Sequence, residues 1–206
     1  MMTFYGHAAG SGFDISTDAP ENYTNYGKYP VVLAQSCYVG NIHSSARLLN
    51  ERFVLAKDKA AIAFLAVADK AYVEDLDIYS TRLHKQLFRY HYGSTLGESM
   101  KSTIDSVSTN SLLKGICMNM TLHGDPGLLM NSYSNSELKV SDPEIFFTPE
   151  NITTQSENFA VNVIVTNLGK ATNKPFSLKL TRIFSNGNSR DTTVIVTATG
   201  FKDTIS

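Results

Sequence analysis

Two unbroken apolar runs, residues 30–35 (PVVLAQ) and 60–68 (AAIAFLAVA), constrain the fold of this chain more than any other feature. Neither alternates with polar positions as a half-exposed strand does. At nine residues, the longer is too short to span a bilayer. A short, continuous apolar run is how a strand reads when both faces are covered, and such cover is typical of a parallel sheet flanked by helices. Pro30 is tolerated at the first position of a strand. Residues 2–6 form a further short β-rich run with His7 in the turn after it, and 8–12 (AAGSG) is small enough for backbone to lie close to a ligand. Residues 14–29 read as an irregular loop.

The segments between and after these runs supply the helices. Ser44 or Ser45 is placed to cap a helix over 46–55 with Leu49 and Phe53 on one face. Residues 69–78 carry four acids and read as a loop. Over 79–92, Tyr79, Leu83, Leu87 and Tyr90 recur at helical spacing up to Gly93. Thr95 and Glu98 have capping-box spacing, opening a helix striped by Leu96, Met100, Ile104 and Val107. A third helix is predicted over 112–120, and 128–130 as a short edge strand. The order strand, loop, strand, helix, strand, helix, helix predicts an α/β layout with a mostly parallel sheet.

From Ser132 the pattern changes. A polar stretch is followed by alternation over 159–166, 176–184 and 192–199, with turns at Asn167-Leu168-Gly169 and Asn186-Gly187-Asn188. Regularly spaced alternating strands predict an all-β immunoglobulin-like sandwich. About four strands fit before Ser206 where roughly seven are wanted, so the sandwich reads as incomplete.

Composition narrows the class. With 42% apolar and 18% charged residues over 206 positions, the chain has a folded, globular make-up. A net charge of −1 gives no footprint for nucleic acid or an anionic membrane, and neither is an expected partner. Abundant Tyr and Phe without Trp, alongside frequent Asn, Ser and Thr, give the chain an extracellular flavour. Two cysteines make no disulfide framework. No basic segment followed by an apolar stretch opens the chain, so no signal peptide is visible.

The residues able to carry chemistry follow apolar runs. The first leads to Gly6-His7 and the second to Ser36-Cys37. Strands of an open parallel sheet deliver functional side chains at their C-terminal ends, and a thiol with an imidazole is the minimum set for a cysteine nucleophile and its base. If the strands are neighbours, Cys37 attacks a scissile carbonyl while His7 gives the proton to the leaving amine and later activates water. Backbone amides of Cys37 and of Ala8 or Ala9 are the candidate donors to the oxyanion. A buried structural cysteine and a loop histidine account for the same spacing equally well.

YGHAAGSG (5–12), YPVVLAQSCYVGNI (29–42), ERFVLAKDKAAIAFLA (51–66), TLGES (95–99) and LHGDPGLLM (122–130) resemble, in order, successive landmarks of the gingipain-type cysteine peptidases, part of the caspase-like group of His–Cys dyad enzymes. The resemblance implies a secreted or cell-surface bacterial endopeptidase acting on proteins or peptides. His7 matches the family histidine, Cys37 the nucleophile, and Gly6 the residue before the histidine. It implies that 1–131 is the C-terminal part of a caspase-like catalytic domain lacking its first strands, with a linker at 132–142 and a partial immunoglobulin-like sandwich at 143–206. Ala8 departs from the glycine whose amide lines the oxyanion hole in the family. An upstream acidic residue and a C-terminal sorting module have no counterpart, so the chain reads as a piece of a longer secreted protein. Two alternatives stand beside this reading. One is a secretion-linked sortase of the same family, which transfers to an amine; the other is a catalytically silent, surface-displayed binding or adhesion protein.

The remaining candidates have plainer readings. His43 competes as base but suits a polar turn. His84 and His91 are seven apart, half a metal site at most or solvent-facing decoration. His123 to Pro126 suits a turn in which Asp125 bonds nearby backbone. Asp14, Asp18 and Glu21 either line a pocket for a basic side chain or solvate a loop. Cys117 reads as a small buried group. No cofactor is implied; calcium is conceivable at Asp75 and Asp77, but two carboxylates do not make a site.

Overall fold

The computed structural model describes the chain except residues 10, 16, 44–47, 108–110, 132, 154, 157 and 198–199 and the side chain of Leu112. It divides into two compact units, Met1–Met130 and Asn131–Ser206.

The first unit is built on a sheet in the order β1 (Met2–Tyr5), β4 (Val31–Gln35), β5 (Ala63–Val67), β6 (Met120–His123). β1, β4 and β5 run parallel, and β6 is antiparallel to β5. The two unbroken runs are β4 and β5, and every residue of both is buried. Their side chains alternate between two cores. Val31, Leu33, Leu65 and Val67 meet α2 (Val73–Lys85), α3 (Leu96–Val107) and α4 (Ser111–Asn119), chiefly at Tyr79, Leu83, Leu96 and Ile116. Val32, Ala34, Phe64 and Ala66 meet Leu49 and Phe53 of α1 (Leu49–Leu55). Each large side chain so buried contributes about 1.5–3 kcal/mol relative to exposure. A two-residue hairpin, β2 (Ala8–Ala9) with β3 (Gly12–Phe13), leaves the end of β1 and lays Ala8 and Phe13 on the α1 side.

Several local expectations hold. The Thr95–Glu98 capping box forms: the Thr95 N–H donates to Glu98 Oε2 at 2.9 Å, and the Glu98 N–H to Thr95 Oγ1 at 3.2 Å. Others shift. The acid-rich stretch 69–78 is not all loop, because α2 starts at Val73 with Glu74 and Asp75 in its first turn. Carboxylates are favoured there by the positive end of the helix dipole. α2 runs on into a π-helical turn over Gln86–Tyr90. α4 ends a residue early and gives way directly to β6, a strand too short to show a period. Residues 128–130 contribute one bridge, Thr95 to Leu129, in place of a strand. On α3, Ile104 faces solvent while Ser99 and Thr103 are buried, with the Thr103 hydroxyl donating to the Ser99 carbonyl at 2.8 Å. The helix expected over 46–55 is observed from Leu49; its proposed caps, Ser44 and Ser45, lie outside the described residues.

The second unit is antiparallel throughout. β9 (Ala160–Asn167) pairs on one side with β12 (Lys202–Ile205) and on the other with β7 (Leu138–Lys139) and β8 (Ile145–Thr148). β10 (Phe176–Ile183) and β11 (Ser189–Val196) form a separate hairpin turning at Gly187, whose φ of 82° suits glycine. Among the described residues, six strands thus lie where about four were expected, and β7 falls within the stretch read as a linker. Its pairing with β9 adjoins a bond from the Glu137 N–H to Asn167 Oδ1 at 3.0 Å, which the polar sequence does not announce.

Candidate active site

β1 and β4 are direct neighbours, and each partner pair in their ladder is thirty residues apart, from Met2 with Val32 to Tyr5 with Gln35. The Gly6 N–H extends the ladder by donating to the Gln35 carbonyl at 3.4 Å. His7 and Cys37 are also thirty apart. Each lies two residues past the last pair of the ladder, Tyr5 with Gln35, just beyond the C-terminal ends of adjacent parallel strands. His7 is exposed and Cys37 is half-buried.

Local backbone geometry fixes each half. After Cys37, the Val39 N–H donates to the Cys37 carbonyl at 2.9 Å around Tyr38, whose φ is 62°. That is a γ-turn with positive φ, a strained conformation for a bulky residue and one found preferentially at functional sites. The turn is pinned to the exit of β5: the Tyr38 N–H donates to the Asp69 carbonyl at 3.2 Å and the Gly40 N–H to that of Val67 at 2.8 Å. Gly40 is needed for close approach, since a Cβ there would overlap the Ala66 carbonyl oxygen and come within 2.5 Å of Thr121 Oγ1. The Thr121 hydroxyl lies 2.9 Å from the carbonyl oxygens of both Gly40 and Ala66. At Gly6 a Cβ would sit 2.9 Å from the Phe4 ring and 3.2 Å from Asp14 Oδ1.

Among the described residues, the amides of Ala8 and Cys37, the candidate oxyanion donors, are both left without a backbone acceptor in the sheets. The Asp14 N–H donates to the His7 carbonyl at 3.0 Å, which makes the adjoining Ala8–Phe13 pair a non-hydrogen-bonded one and turns the Ala8 N–H away from β3. Among the described residues, no backbone carbonyl accepts from the Cys37 N–H. The Cys37 thiol donates weakly to the Ala71 carbonyl, at 3.6 Å. Ala71 also lines a cavity of about 440 Å³ with Lys70, Tyr72, Glu74, Asp75 and Ile116. Neither the contact with Ala71 nor the Tyr38 conformation leaves a mark in residue type, so sequence reasoning missed both.

The other candidates separate from this centre. The His43 N–H closes a turn onto Asn41 Oδ1. His84 Nδ1 lies 2.7 Å from the Ser80 carbonyl oxygen on α2, while His91 lies beyond the π-helical turn. Glu21 is held by Arg52 in a two-bond fork of 2.9 and 2.7 Å, which lowers its pKa to about 2. Asp18 is exposed, Asp14 sits on the hairpin that carries His7, and Asp75 and Asp77 belong to α2. Cys117 is buried, and desolvation raises its pKa. Asp125 accepts from the Gly127 N–H at 2.7 Å, as the turn requires. His123 ends β6 instead, with Nε2 2.6 Å from Nδ2 of the fully buried Asn50. Burial lowers its pKa, against the opposing effects of the Gly40 backbone and Glu51. Among the described residues, no three metal-ligating side chains cluster, and no helix is long and apolar enough to cross a membrane.

Known proteins share this arrangement of elements. The complex of Porphyromonas gingivalis RgpB pro- and mature domains is similar over 98% of this chain and 46% of its own, at 16% identity and a TM-score of 0.55. The Arg-specific cysteine proteinase gingipain R (RgpB) is similar over 98% and 45%, at 18% identity and a TM-score of 0.51. A further solved structure, described only as a protease, is similar over 94% and 53%, at 11% identity and a TM-score of 0.56. The chain thus spans about half the length of the structures it resembles, and at these identities the likeness is one of fold. No curated protein matches it. The sequence model of Peptidase family C25 matches residues 1–131, the whole first unit with its His7 and Cys37, and the chain belongs to that family, the gingipain family.

Proposed function

We propose that the chain carries the His–Cys dyad of a cysteine endopeptidase, and the observation that carries the reading is the pairing of β1 with β4 as parallel neighbours whose C-terminal ends lead into His7 and Cys37. Cys37 loses its proton to His7, and the thiolate adds to the scissile carbonyl carbon. The oxyanion is held by the amides of Cys37 and Ala8. The tetrahedral species collapses to a thioester as His7 passes the proton to the departing amine. Water, deprotonated by His7, then cleaves the thioester and restores the thiol. Gly6 supports the base by letting the hairpin fold back against Phe4 and Asp14. The substrate is a protein or peptide, and the location is secreted or at the cell surface, as family membership supports. The second unit is read as an immunoglobulin-like sandwich, a reading supported by its wholly antiparallel strands.

The test is labelling by a thiol-directed peptidyl probe, with peptide cleavage measured in parallel on the protein that contains this chain. Cys37→Ala is expected to abolish both, and His7→Ala to slow cleavage by about 10²–10⁴-fold. Full cleavage by Cys37→Ala sinks the proposal. Mass analysis of products separates hydrolysis from sortase-type transfer to an amine. A silent binding protein is the second reading, favoured by the methyl of Ala8 and by the thiol's hydrogen bond to Ala71. A wild-type protein that resists the probe supports it.

A further inference from the structure

The second unit contains a cavity of about 460 Å³ between β8 and β9 on one side and the β10–β11 hairpin on the other. Its walls are largely apolar, with Ile145, Phe147, Phe159 and Leu180 beside Thr181 and Thr192, and the Phe147 and Phe159 rings are 5.9 Å apart. Leu180 and Arg182 share one face of the hairpin, being two apart on β10, and their cross-strand partners are Thr192 and Arg190. Two arginines thus stand directly opposite each other at the end of an otherwise apolar face, where like charges oppose folding. The only acid nearby in the ladder, Asp191, is taken by Lys179 Nζ and by the Thr181 hydroxyl, each at 2.8 Å. No carboxylate pairs with Arg182 or Arg190 among the described residues. Arg182 lies 4.8 Å from the centroid of Phe184 and 5.9 Å from that of Phe159.

An apolar cavity with convergent cationic donors is the make-up of a site for an apolar molecule with an anionic head. Paired guanidinium groups match a carboxylate. Apart from the arginines, the polar side chains in the walls are Thr181, already bonded to Asp191, and Thr192, so a buried peptide would leave most of its donors and acceptors unsatisfied, whereas an acyl chain would not. We propose that this cavity binds a fatty-acid-type carboxylate, its tail against Phe147, Phe159 and Leu180 and its head between Arg182 and Arg190.

Calorimetric titration of the full chain with decanoate tests this. Saturable one-to-one binding is expected, at least ten-fold weaker for decan-1-ol and at least ten-fold weaker in Arg190→Gln. Equal binding of the alcohol, undiminished binding by the variant, or no saturable binding of decanoate overturns the proposal. So does tighter binding of a peptide with an apolar C-terminal residue. Arg190→Gln relieves the like-charge contact, so without ligand it is expected to melt at or above the wild-type midpoint. A lower midpoint would assign the arginine pair to the fold and refute the site.

Discussion

Replacing Gly40 by alanine tests the way the Cys37 turn is held. The added methyl has no room: it meets the Ala66 carbonyl oxygen and Thr121 Oγ1, two groups already joined by a hydrogen bond of 2.9 Å. One is backbone of a fully buried strand, so the glycine segment must move instead. Moving it lengthens the Gly40 N–H bond to the Val67 carbonyl, now 2.8 Å, and the contact from Thr121 to the Gly40 carbonyl. Overpacking in such a site costs about 1–3 kcal/mol, and each weakened hydrogen bond about 1 kcal/mol. A loss of about 3 kcal/mol is expected, a large fraction of a total that is typically about 5–15 kcal/mol. Urea unfolding of Gly40→Ala measures it. The same displacement draws Cys37 off the Ala71 carbonyl, so alkylation of Cys37 should quicken in a Cys117→Ser background. An unchanged unfolding midpoint with an unchanged alkylation rate would refute the reasoning.

Thr95→Ala removes the side-chain half of the α3 capping box and should destabilise by about 1 kcal/mol in urea unfolding; no loss would mean that the cap is idle. Glu21, with its pKa lowered from 4.5 to about 2 chiefly by Arg52, contributes to stability fully above its ordinary value and loses that contribution as pH falls through about 2. In Arg52→Gln its NMR-detected midpoint should return toward 4.5. His123 has its pKa lowered by burial, so as pH falls the unfolded chain takes up the proton first. Its contribution is complete above the ordinary value of 6.5 and declines below it. His123→Gln should flatten the dependence of unfolding free energy on pH between 5 and 7, and an unaltered slope would place the proton elsewhere.

The parallel core was legible because burial on both faces leaves a mark in residue type: β4 and β5 are wholly apolar or nearly so, and nothing else reads like them. Capping was legible for the same reason, since Thr95 and Glu98 bond each other's backbone and little beyond. What escaped detection depends on partners remote in sequence. β6 is four residues long, is defined by its pairing with β5, and follows a helix without a break. The acids at the start of α2 look like loop residues until the helix dipole is considered. β7 is two residues recruited by β9 from a polar stretch.

The two halves of the proposed dyad are held by different means. Cys37 lies in a turn tied at Tyr38 and Gly40 to carbonyls at the exit of β5, and its thiol bonds a residue of the same exit loop. Its position is thus set by the most buried strand pair of the first unit. His7 hangs from β1, at the end of the sheet order, and is steadied by a two-residue hairpin whose ties are the Asp14 bond to its carbonyl and the Phe4–Phe13 ring contact at 3.8 Å between centroids. A sequence can announce both residues, since each follows an apolar run, but it cannot announce that the two runs are neighbours in register. A slip of one step in that ladder would turn every side chain of β1 to the opposite face of the sheet. The short apolar β1 is therefore part of the candidate site as much as His7 is.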